Sequence, residues 1–282
     1  MKLLFSIGSF NIHLFGITIG LGILAGFYIM LMEANRKGLD RDKLMDLAIY
    51  TVIIGVIGAR INYILAFNPG YYLQHPREIF MINQGGLSIQ GSLIAGTLFA
   101  LWYMKRKNIP IWQTADAFAP AIIIGQAIGR IGCDVFGIPM MKQYFWGISV
   151  GGQLLHPAQI YEAVLNYVLF FVLWNKRKNV KYEGQLFITY IIGFSINRFI
   201  VEFFRSNPLV VGAISIAHVY SLAIIVIAFA AGLWLKRRHE KLQLPVVNNT
   251  PFIEEIDWKG AVYISIATVV SIIVYYAIHI FL

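Results

Sequence analysis

The run GQLFITYIIGFSINRFIVEFFR, Gly184–Arg205, decides how the chain is read. Its first fourteen residues are uncharged and mostly apolar, yet it ends in two arginines and a glutamate. At about 100° per residue on a helix, positions i, i+4 and i+7 fall on one face. Arg198, Glu202 and Arg205 therefore form one stripe, while Phe199, Ile200, Val201, Phe203 and Phe204 fill most of the remaining circumference. An isolated charge in hydrocarbon is expensive, so such a stripe faces a partner, a polar cavity or a ligand.

Composition places that stripe in a membrane. Only 13% of the 282 residues are charged and 58% are hydrophobic, with a mean hydropathy of +0.68. A soluble domain carries roughly a quarter charged residues. The single cysteine, Cys133, excludes an intramolecular disulfide and leaves the redox compartment open. The N-terminus, MKLLFSIGSFNIHLFG, has one lysine, polar interruptions and no small-residue cleavage site, so we expect it to be retained.

A helix needs about 20 apolar residues to cross the bilayer core. Candidate spans run near 13–33, 44–67, 88–104, 114–132, 157–175, 184–204, 213–235 and 259–281. The expected fold is thus an all-α, polytopic transmembrane bundle: a seven-span core over 1–241, a cytoplasmic linker over 242–258, and an additional C-terminal span over 259–282. RKGLDRDK, KRKN, KRKNVK and KRRHEK follow the first, third, fifth and seventh spans, whereas the alternate loops carry little beyond Arg77 and Lys142. The positive-inside rule puts these basic loops in the cytoplasm and both termini outside. The net charge of +9 is therefore topological and not the footprint of a nucleic-acid partner. No period of the solenoid kind is present.

With the cytoplasmic charges set aside, a short polar list remains. Arg60 lies in GVIGARINYILAFN, Gln90 in GGLSIQGSLIAG, and Gln126, Arg130, Cys133 and Asp134 in GQAIGRIGCDVFG. His156, Gln159, Tyr161 and Glu162 lie in HPAQIYEA. In the orientation above, Gln90, Arg130, His156 and Arg205 all fall toward the outer ends of their spans, so polar groups distant in sequence converge on one side. Snorkelling to lipid phosphates explains a lone arginine at a span end. Arg205 fits that, but Arg198, about 10 Å deeper along the helix, fits it poorly. A purely structural Arg198–Glu202 pair is a second reading. The glycine-rich stretches also serve close helix packing, and His156 before a proline also fits a helix start. Guanidinium groups suit multidentate recognition of phosphate, and a phosphate with acyl chains is the anion available at that depth. The residues thus point to a phospholipid headgroup site.

At these residues the chain resembles the bacterial prolipoprotein diacylglyceryl transferases, in order, from about residue 10 to 240. GARINYILAFN, GGLSIQG, GRIG, HPAQIYEA and RFIVEFFR each look like a family signature. The resemblance implies a seven-span helical enzyme of the bacterial cell membrane with an extracytoplasmic active site and no metal or organic cofactor. It implies transfer of diacylglyceryl from phosphatidylglycerol to the lipobox cysteine of a preprolipoprotein, releasing glycerol phosphate. The implied catalytic residues are Arg130, Arg198, Glu202 and Gln90, with Arg130, Arg198, Arg205, Gln126 and Arg60 at the lipid. His156, Tyr161, Glu162, Cys133 and Asp134 complete the candidates. The family usually has histidine where this chain has Gln90, and GRIGN where this chain has Cys133. The eighth span has no counterpart in the usual seven. Two other functions compete: a non-catalytic binder of phospholipid or lipoprotein, favoured by Gln90, and a lipid transporter, against which stands the lack of paired broken helices.

Overall fold

The structure, a computed structural model, describes residues 3–7, 10–67, 69–81, 85–212, 214–242 and 257–281. Most of the linker expected at 242–258 lies outside these residues. Among the described residues, eight helices of at least 18 residues coincide with the eight apolar runs. They are α1 (Leu14–Lys37), α2 (Arg41–Phe67), α4 (Ile89–Arg106), α5 (Ile111–Gly129), α6 (Ala158–Lys176), α7 (Gln185–Glu202), α8 (Ile216–Lys241) and α9 (Trp258–Phe281). A short helix, α3 (Pro69–Gln74), follows α2.

Four of these helices, at Leu14–Lys37, Arg41–Phe67, Ile216–Lys241 and Trp258–His279, are long and apolar enough to cross a membrane. At most 33% of each crossing window is buried inside the protein, so the rest of their apolar surface is left for lipid. The protein is thus a mostly helical membrane protein. The other four long helices fall short because they carry polar residues: Gln90, Lys105 and Arg106 on α4, Gln113, Asp116 and Gln126 on α5, Gln159, Glu162 and Asn166 on α6, Asn197, Arg198 and Glu202 on α7.

The chain forms two compact units. One comprises Ser6–Asn11 and Leu31–Thr114. In it α2 and α4 meet backbone to backbone: a Cβ on Gly91 would lie 2.3 Å from the Gly58 carbonyl oxygen, so neither side of the contact tolerates a side chain. The other comprises Met1–Phe5, Ile12–Met30 and Ala115–Leu282. Its core joins Ile123 and Ala127 of α5, Tyr167, Phe170 and Leu173 of α6, and Leu186 and Tyr190 of α7.

Among the described residues, three two-stranded hairpins punctuate the helices, a feature absent from the all-α expectation. They are β1–β2 (Leu3–Ile7, Phe10–His13), β3–β4 (Ile148–Val150, Gln153–Leu155) and β5–β6 (Leu209–Val211, Ile214–Ser215). Gly151 and Gly152 turn β3 into β4 at φ +57° and +81°, which favours glycine at both positions. β4 delivers His156 and β6 delivers Ser215.

Candidate active site

The site is built on α7, and α7 is anchored from α5. Asp116, buried on α5, accepts hydrogen bonds from the backbone N–H groups of Gly184 and Phe187, both at 2.9 Å. A carboxylate there satisfies free amides at a helix start. Farther along α7, Asn197 donates to Asn166 of α6 at 3.1 Å, tying the two helices at the depth where the charges begin.

Glu202 is the hub. It is 3% exposed, and its Oε2 lies 2.6 Å from an Arg198 terminal nitrogen and 3.9 Å from Arg205 Nε. Its Oε1 accepts hydrogen bonds from Ser215 Oγ at 2.6 Å and Asn207 Nδ2 at 2.7 Å. His218, on the first turn of α8, accepts the Ser215 backbone N–H on Nδ1, completing a capping box that fixes Ser215. The helix ends at Glu202, so Arg205 comes from the following turn and not from the third position of a helical stripe.

A second pair lies alongside. Arg130, in the 3-10 turn Arg130–Gly132 that follows α5, pairs with Glu162 of α6 at 2.8 Å, and its other terminal nitrogen is 3.8 Å from Cys133 Sγ. Arg205 is coupled electrostatically to Arg198, Glu162, Arg130 and Glu202, so both pairs belong to one cluster. Three guanidinium groups against two carboxylates leave that cluster one net positive charge. Arg198 keeps one buried terminal nitrogen without a partner among the described residues.

His156 and Tyr161 border the cluster. The segment Gly137–Met140 hydrogen-bonds to both flanks, with Gly137 N–H donating to the His156 carbonyl and Ile138 N–H to the Phe204 carbonyl. The His156 and Tyr161 rings each lie 5.2 Å from the Phe204 ring. Burial lowers the His156 pKa below its usual value, favouring the neutral imidazole. Gln126, four residues before Arg130 in the sequence, accepts a long hydrogen bond from Tyr190 at 3.4 Å. Asp134 lies 3.5 Å from His279 of α9.

Arg60 and Gln90 belong to the other compact unit. Arg60 is 8% exposed, and its guanidinium donates to the carbonyls of Ile79, Gly85, Gly86 and Glu78, with Tyr72 and Tyr63 beneath it. Four of its five donors are thereby used within the protein. Gln90 is exposed and accepts from Ser88, which accepts from Asn62. Sequence reasoning missed Asp116, Asn207, Ser215 and His218. Serine just ahead of a long apolar run is an N-cap signal and could have flagged Ser215.

Fold and site together define a helical membrane protein that holds two arginine–carboxylate ion pairs in its interior. The sequence profile of the prolipoprotein diacylglyceryl transferases matches residues 2–234, and the chain belongs to that family of transferases. It is 35% identical over 236 residues to the phosphatidylglycerol–prolipoprotein diacylglyceryl transferases of Bacillus cereus (strain G9842) and Bacillus anthracis. The alignment covers 79% of this chain and 87% of each relative.

Proposed function

We propose that this chain transfers the diacylglyceryl group of phosphatidylglycerol to the lipobox cysteine thiol of preprolipoproteins, at the outer face of the bacterial cell membrane. The observation that carries the reading is the Arg198–Glu202–Arg205 and Arg130–Glu162 cluster, with its excess positive charge and its unpartnered Arg198 nitrogen. The thiol sulfur forms a bond to the glyceryl carbon as the carbon–oxygen bond to phosphate breaks, and glycerol phosphate leaves with the electron pair. Arg130 binds the lipid phosphate, Arg198 stabilises charge on the leaving oxygen, and Arg205 draws the headgroup in; preset donors of this kind are a large source of rate. Glu202 and Glu162 orient the arginines, and Gln126 lines the approach. Cys133 and Asp134 shape the turn beside Arg130.

All eight long helices cross the bilayer in this reading: seven, over 1–241, form the transferase body, the linker is cytoplasmic, and 259–282 is an added span. Two of the helices that carry too many polar residues to qualify by apolarity alone, α6 and α7, turn Asn166 and Asn197 toward one another. Arg60 holds the loop after α3 and takes no part in phosphate binding.

Purified protein, phosphatidylglycerol and a lipobox peptide should yield the peptide thioether, read by mass spectrometry as a diacylglyceryl mass increase. Gln90 favours a second reading, since glutamine cannot serve as the general base: lipid binding without an adduct would establish a non-catalytic binder. For orientation, with Cys133 changed to serine, an impermeant thiol probe should miss cysteines placed at Lys107 and Lys178. It should label one at Lys142; the opposite pattern would turn the active site to the cytoplasm.

A further inference from the structure

The helix α9 lies wholly beyond the residues that match the family, yet its C-terminal part reaches the residues around the site twice. Tyr275 is fully buried against Ile131, Ile148 and Ile160, and its hydroxyl donates to Gln159 Oε1 at 3.2 Å, one helical turn before Glu162. Tyr276 donates to the backbone carbonyl of Trp146 at 2.6 Å. The Trp146 indole N–H donates to the Tyr161 oxygen at 3.0 Å, and that oxygen lies 3.1 Å from His156 Nδ1. An indole nitrogen only donates. The arrangement that leaves no donor in this series of hydrogen bonds unused therefore has Tyr161 giving its own hydrogen to His156 Nδ1. His156 is then the neutral tautomer with its hydrogen on Nε2.

We propose that α9 is a positioning element of the active site: through Tyr276 and Trp146 it holds the Tyr161–His156 pair as the acceptor of the thiol proton. The inference rests on the transferase reading above. The thiol hydrogen passes to the Tyr161 oxygen while Tyr161's hydrogen passes to His156 Nδ1. The sulfur keeps its electron pair for the glyceryl carbon, and the imidazolium later returns its proton to solvent. The pair thus supplies what Gln90 lacks. A helix outside the family's matched residues would stabilise α6 against the 3-10 turn in any case. What a merely structural brace would not do is set the tautomer of a histidine three hydrogen bonds away.

The test uses the full chain in nanodiscs, labelled with 15N-histidine, and the variant Tyr276→Phe, which keeps the ring and removes only the hydroxyl. His156 is assigned by its loss in His156→Gln. In the wild type, the His156 ring should show Nε2–H and an unprotonated Nδ1 at pH 7.5. In Tyr276→Phe that signal should broaden or move toward the tautomer average. In the transfer assay, kcat should fall about tenfold while KM for phosphatidylglycerol stays within a factor of two. His156→Gln should lose the acidic limb of the pH–rate profile. An unchanged His156 spectrum in Tyr276→Phe overturns the positioning role even in an inactive protein. Wild-type kcat in Tyr276→Phe or His156→Gln overturns the proton-acceptor role. Absence of transfer by the wild type, with the spectral change present, sinks the transferase reading and leaves the positioning role standing.

Discussion

Two arginines, Arg60 on α2 and Arg198 on α7, face the same difficulty and meet it differently. Arg60 is surrounded by carbonyl oxygens and aromatic faces, with its donors almost used up. Arg198 is paired at 2.6 Å with a buried carboxylate that is itself held by Ser215 and Asn207, and it retains a buried nitrogen without a partner among the described residues. A guanidinium neutralised only by dipoles closes a loop and has little left to offer a ligand. One opposed by a carboxylate is oriented and still has donors free. Partnership, not burial, separates a structural cation from one available for chemistry.

The comparison breaks most visibly at Glu202. Glu202→Gln leaves Arg198 and Arg205 without their counter-charge, and loss of one partner of a buried pair costs about 3 kcal/mol or more. Transfer should fall about 100-fold as the arginines lose their orientation. Combining Arg198→Met with Glu202→Gln should restore most of the thermal stability and none of the activity. A double mutant that recovers both would reduce the pair to a brace; the cycle is measured on melting temperature and transfer rate in one nanodisc preparation.

Arg130→Lys probes geometry with charge held constant. Lysine cannot reproduce a planar fork, so transfer should drop about tenfold, or about 1.4 kcal/mol on the barrier. Near-wild-type rates in both Arg130→Lys and Arg130→Ala would return this residue to the role of a lipid anchor.

The smallest effect on rate is expected at Arg60. Arg60→Met strands several carbonyls and should cost about 2 kcal/mol of stability, while the rate per folded molecule stays within about twofold. A large loss of rate at unchanged melting temperature would put Arg60 back at the lipid.

The positions of the eight long helices were legible from the apolar runs, which coincide with them. The pairing of Arg198 with Glu202 was legible from spacing. Arg60 was not separable from Arg130 by the same means, since nothing in GVIGARINYILAFN announces that a loop some 20 residues later will bring its carbonyls to it. The hairpins were missed because strands of two to five residues bury too little to leave a pattern. Gly151-Gly152 between two short apolar runs was a usable turn signal. Asn207 and Ser215 were invisible as Glu202 partners because their approach depends on the β5–β6 hairpin that follows α7.

Asp116 gives the site a history as well as a geometry. The amides it caps belong to residues made 68 and 71 positions later. At about 5 to 20 residues per second, a nascent chain spends roughly 3 to 14 s with that carboxylate made and its helix not yet arrived. During that interval Asp116 must be kept wet or paired elsewhere. When α7 emerges, bearing the charges that make it a poor membrane segment by itself, a negative receptor for its leading end is already in place. The order of synthesis thus puts the receptor in the chain before the helix it receives, and α7 meets a partner already made.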